Sequence, residues 1–117
     1  MLDTPRNILS NKLTAVIGRD EPKDIFDILH IALNYSFVWP DIFYEAKQKA
    51  VLNEIDLEER FVTFPVEMIQ QVDWLKSAPD LGFISNALKS IADDFLFGRS
   101  NSLGAGKICI KNAKPLF

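Results

Sequence analysis

Asn11-Lys12-Leu13-Thr14-Ala15-Val16-Ile17-Gly18-Arg19-Asp20-Glu21-Pro22-Lys23-Asp24-Ile25-Phe26-Asp27-Ile28-Leu29 reads as the end of one helix, a tight acidic turn and the start of a second. At about 100° per residue, Leu9, Leu13, Val16 and Ile17 fall on one apolar stripe, with Lys12 and Arg19 nearly in line beside it. Gly18 suits a relaxed last turn, and Arg19 suits the negative end of the helix dipole. Asp20 is placed to accept hydrogen bonds from free backbone amides, and Pro22 presets the backbone angle of a first helical turn. In the second helix Ile25, Ile28, Leu29, Ala32 and Leu33 make the buried stripe, with Asp24 and Asp27 one turn apart on its flank.

A link this short requires an antiparallel hairpin, so the Lys12/Arg19 edge is expected to face the Asp24/Asp27 edge. Two meanings stay open. The seam is either a set of ion pairs, with Arg19 and Lys23 neutralising carboxylates at a helix start, or a site. As a site, the cations would hold phosphates while one carboxylate takes a proton or positions a hydroxyl.

Outward from the hairpin, Met1 to Arg6 is a leader with Thr4 as N-cap and Pro5 as first helical residue, giving helices over about 5–18 and 22–36. Tyr35, Phe37 and Trp39 are expected to cover the hairpin end. Pro40 starts a third helix to about Asn53, burying Ile42, Phe43, Ala46 and Ala50, while Phe43, Tyr44 and Lys47 are candidates for a substrate surface. Asp56 to Phe61 reads as an acidic turn or helical piece, with Phe61, Val62 and Phe64 as core anchors. Pro65 opens a short helix to about Lys76. The period of Leu81, Ile84, Leu88, Ile91 and Phe95 predicts a last helix to about Phe97, closed by Gly98. Lys107 to Lys111 alternates like a short strand. The sum is one all-α domain over residues 1–117, a compact bundle of about five helices with an irregular or short β-like C-terminal tail.

Composition narrows the function classes. A hydrophobic fraction of 48% supports a packed core, and a net charge of -3 provides no global basic field for nucleic acid. A single cysteine, Cys109, allows no internal disulfide, and a single histidine, His30, allows no histidine-rich metal cluster. No apolar run approaches the roughly 18 residues of a membrane span, and no signal-peptide pattern opens the chain, so a cytoplasmic location is expected.

Several features imitate sites. Glu58/Glu59 and Asp93/Asp94 are adjacent carboxylates that point apart on a helix, and both pairs are expected at the surface. Gly104-Ala105-Gly106-Lys107 lacks the first glycine, the following Ser or Thr and the preceding strand of a phosphate loop. His30 is expected at the surface, and Cys109 as a small buried hydrophobe.

The pattern of Lys12-Leu13, a short apolar run to Arg19, then Lys23-Asp24 and Asp27 resembles the C-terminal motifs of the AbiEii/AbiGii toxin family. These are nucleotidyltransferase-like proteins of abortive-infection and toxin–antitoxin systems. The resemblance implies that Lys12, Arg19 and Lys23 bind a nucleotide, that Asp24 serves acid/base work or site architecture and that Asp27 holds the network. For a complete family member it implies a nucleoside triphosphate and magnesium, with a catalytic-half polypeptide, an antitoxin or a second copy as partner. The family's upstream Gly-Ser element and metal-holding aspartates have no counterpart in this sequence. Metal-assisted transfer needs both, so the chain alone is expected to transfer nothing and, within it, no residue is assigned to a metal. The expected role is an incomplete module that completes a nucleotide site beside a separate catalytic half. The alternatives are a non-catalytic structural or protein–protein interaction domain, and autonomous nucleotide binding along the same edge.

Overall fold

The structure, a computed structural model, describes residues 4–18, 21–65 and 80–113. Within them run α1 (Pro5–Gly18), α2 (Pro22–Asn34), α3 (Trp39–Lys47), α4 (Glu54–Thr63) and α5 (Leu81–Leu96), followed by single 3-10 turns at Ser102–Gly104 and Ile110–Asn112. The all-α bundle expected from the apolar periods is the fold observed. No helix among the described residues is long and apolar enough to cross a membrane.

Local chemistry sets the helix starts. Thr4 Oγ1 accepts from the Asn7 amide at 3.2 Å, as its place before Pro5 predicts. Asn53 Oδ1 accepts from the amides of Ile55 and Asp56 at 2.8 and 3.3 Å, and Asp80 Oδ1 accepts from Phe83 at 3.2 Å. The Asn53 cap explains two differences from expectation. It begins a separate helix at Glu54, so α3 stops at Lys47 and Ala50 is exposed, and the acidic piece lengthens into a full helix, α4.

α1 packs on α2, α3 and α4, and α4 packs on α5. Leu9, Leu13 and Val16 of α1 meet Ile25, Ile28, Leu29 and Ala32 of α2 in one buried cluster, as the stripes predict. Phe95 joins the other half: its ring makes edge-on contacts with Trp39, Phe43 and Phe61 at centroid distances of 6.0, 4.9 and 6.4 Å. Phe61 and Phe64 are core residues, but Val62 is 49% exposed because it falls on the outer face of α4. The helix expected from Pro65 to Lys76 falls outside the described residues beyond Pro65 itself.

α2 ends at Asn34, two residues early, because Tyr35 turns into extended backbone (φ −137°, ψ 146°). Residues 35 to 38 then run between two carboxy-terminal pieces. Ser36 donates to Ile108 O and accepts from the Ile110 amide, while Asn101 donates to Phe37 O and Trp39 donates to Arg99 O. The tail therefore contributes isolated bridges, Ser36 with Cys109 and Val38 with Ser100, in place of the expected strand. Trp39 is fully buried at the start of α3, not a cover on the hairpin end. Cys109 is exposed, since Ile110 takes the inward position beside it.

Two turn glycines have separate reasons to be glycine. Gly98 adopts φ +66° where α5 ends, a conformation a side chain disfavours. Gly104 instead lies against the Tyr35 carbonyl, where any Cβ would overlap the backbone oxygen.

Candidate functional site

The hairpin places Lys12 opposite both acids. Its ammonium lies 2.9 Å from Asp24 Oδ1 and 3.2 Å from Asp27 Oδ2. Asp24 follows from the start of α2 and sits on the buried side of the first turn, 1% exposed; Asp27, one turn on, is 45% exposed. An acid in a helix's first turn is favoured by the dipole, and a carboxylate this deep needs a cation beside it. Lys12 supplies that cation while keeping its own side chain 27% exposed. Arg19 lies outside the described residues, and Lys23 is exposed and forms no ion pair with a described residue. The structure thus joins Lys12, Asp24 and Asp27, and leaves Lys23 apart from them.

Burial pulls the Lys12 ammonium downward and is the largest single influence on it. The hydrogen bonds and charges of Asp24 and Asp27 together outweigh burial and hold it above its ordinary 10.5. A raised folded value stabilises the fold fully below the unfolded value and loses that contribution as pH climbs through the folded one. We therefore expect thermal stability to fall more steeply above pH 10.5 in the native chain than in Lys12→Met, measured by circular dichroism melts across that range.

Chemically, this seam is closed. Two carboxylate oxygens already contact the ammonium, so an entering phosphate would meet like charge on both sides. Five cavities formed by described residues are lined by neither Lys12, Asp24 nor Asp27. A triphosphate with magnesium does not fit the seam as it is arranged: the metal would have to displace Lys12 to reach both acids. Among the described residues no three His, Cys, Asp or Glu side chains are grouped to hold a metal.

Open space lies elsewhere. A cleft of about 300 Å³ is walled by Trp39, Phe43, Tyr44, Phe95 and Leu96, with Lys47 and Glu54 at its rim. The Lys47 ammonium rests 4.7 Å from the Phe43 ring centre and 3.5 Å from Glu54 Oε1. This gathers Phe43, Tyr44 and Lys47, the sequence candidates for a recognition surface, at one place. Tyr44 and Leu96 are 69% and 45% exposed there.

Two polar constellations escaped the sequence reading. Lys49 donates to Asn7 Oδ1, Ser10 Oγ and Asn11 Oδ1 at 2.8, 2.6 and 2.8 Å, clipping the segment after α3 onto α1. The signal was present in the three- and four-residue spacing of Asn7, Ser10 and Asn11, which makes one polar face. The second is Asp94, expected at the surface with Asp93. Asp93 is exposed, but Asp94 is buried, because its Oδ2 accepts from both the amide and the hydroxyl of Ser102 at 2.8 and 2.7 Å. His30 is exposed as expected, stacked 6.3 Å from Phe26. No family model, curated protein or solved structure matches the chain.

Proposed function

We propose that this chain is a non-catalytic helical interaction domain, in which Lys12, Asp24 and Asp27 fix the α1–α2 hairpin and the aromatic cleft offers the contact surface. The closed state of the Lys12 ammonium, held by two carboxylates at 2.9 and 3.2 Å, carries this reading. The cleft supports the second half: aromatic walls with exposed Tyr44 and Leu96 form the kind of apolar patch that proteins use for contact.

Calorimetric titration with nucleoside triphosphates and magnesium is the test. No saturable heat is expected from the native chain, and Lys12→Ala should change stability without changing that result. A measurable nucleotide affinity that Lys12→Ala abolishes overturns the proposal.

A second reading rests on the partial exposure of Lys12 and Asp27. As an incomplete module resembling the AbiEii/AbiGii toxins, the chain would turn this edge toward a separate catalytic half, which would compete for Lys12. Titrating nucleotide in the presence of such a half separates the two: only the module reading expects Lys12-dependent binding to emerge.

A further inference from the structure

We infer that the cavity beside the Phe37–Val38 segment is a binding site for a protonated primary amine, with Asp94 as its anchoring carboxylate. The cavity has a volume of about 640 Å³, and Ser36, Asp94, Ser100, Ser102 and Cys109 line it. It is remote in sequence from the Lys12 seam and does not depend on the function proposed above.

Asp94 is 5% exposed and forms no ion pair with a described residue. Oδ2 is committed to Ser102, accepting its amide and its hydroxyl. Oδ1 has no hydrogen-bond partner among the described residues and, unlike Asn101 Oδ1, is not sealed from solvent. A carboxylate buried without a countercharge is costly, and an entering cation supplies what the fold leaves out. Arg99 lines the same cavity, but its guanidinium sits 4.8 Å over the Phe97 ring and is not paired with Asp94.

The number of free acceptor atoms selects the cation. Guanidinium binds best to both oxygens of a carboxylate at once, and here one oxygen is taken. Calcium needs six or more oxygen ligands, usually from several carboxylates, and no group of three metal-ligating side chains exists among the described residues. An ammonium is a point charge with three donors, satisfied by a single carboxylate oxygen and neighbouring hydroxyls such as those of Ser36 and Ser100. Phe37, Val38 and Ala105 give its alkyl stem an apolar wall. A lysine side chain and a small free amine share this chemistry.

The test is NMR titration of the full chain with n-butylammonium chloride at constant ionic strength, following the Ser102 and Cys109 amides. Saturable shifts are expected in the native chain. Asp94→Asn keeps a carbonyl oxygen for Ser102 and removes only the charge, so it should weaken binding at least about tenfold while leaving the melting temperature near native. N-butylacetamide, which has the same stem without the charge, should not bind. Nα-acetyl-lysine methylamide identifies the source: affinity matching n-butylammonium assigns the site to peptide lysine, and affinity for the free amine alone assigns it to a small ligand. Absence of saturable shifts in the native chain, equal binding of the acetamide, or native affinity in a folded Asp94→Asn overturns the inference. If Asp94→Asn does not fold, the comparison of ammonium with acetamide on the native chain decides.

Discussion

Replacing Gly104 with valine is expected to destabilise the fold by about 3 kcal/mol or more, detaching the Ser102–Gly104 turn from the end of α2. The cause is space. A Cβ at Gly104 would overlap the Tyr35 carbonyl oxygen and lie 2.7 Å from Asn101 Nδ2, the group that donates to Ala32 O at 2.7 Å and to Tyr35 O at 2.9 Å. Backbone cannot withdraw as a flexible side-chain tip can, so the turn must lift and release those buried bonds, each costing about 1 kcal/mol or more when left unmade. Gly106→Ala is the control. Nothing lies within 4 Å of a Cβ there, although its φ of +81° disfavours one, so a loss of only about 1 kcal/mol is expected. Urea denaturation of the two variants measures the contrast, and equal losses would defeat the explanation.

The second large effect is expected at the hairpin seam. Lys12→Met should cost about 3 kcal/mol, because it leaves Asp24 buried without its ammonium; the partial exposure of Lys12 keeps the figure at the low end for such pairs. Asp24→Leu should cost less, since it removes the deeply placed charge and leaves the better-solvated partner. The double variant Lys12→Met/Asp24→Leu is expected to be more stable than Lys12→Met alone, with a coupling of about 2 kcal/mol in a double-mutant cycle. Asp24 interacts with more than Lys12, so the cycle, not either single variant, isolates the pair. Additive losses would mean that the contact contributes nothing of its own.

The hairpin was legible in the sequence because its determinants are local. Apolar spacing chose the buried faces of α1 and α2, Thr4 and Pro22 marked starts, and a short link forced Lys12 toward Asp24 and Asp27. Where the reading failed, a distant partner decided. Asp94 looks like any surface acid at the end of a helix until Ser102 folds back onto it. Tyr35 to Val38 carries no helix breaker, yet it is drawn out straight by backbone bonds to residues 101–110. Cys109, expected inside, lies outside because one isolated bridge with Ser36 sets the register and Ile110 takes the inward position. The aromatic cleft was half visible: Phe43, Tyr44 and Lys47 share a helix, but Phe95, Leu96 and Glu54 come from elsewhere in the chain.

Asn101 reaches back over 69 positions to close the end of α2. During synthesis, then, α1 and α2 emerge long before the amide that satisfies the Ala32 and Tyr35 carbonyls exists, and those groups remain hydrated until Asn101 has left the ribosome. The α1–α2 hairpin is thus fastened only after α5 has been made, and a ribosome-bound nascent chain stalled before Asn101 holds these two helices without that closure.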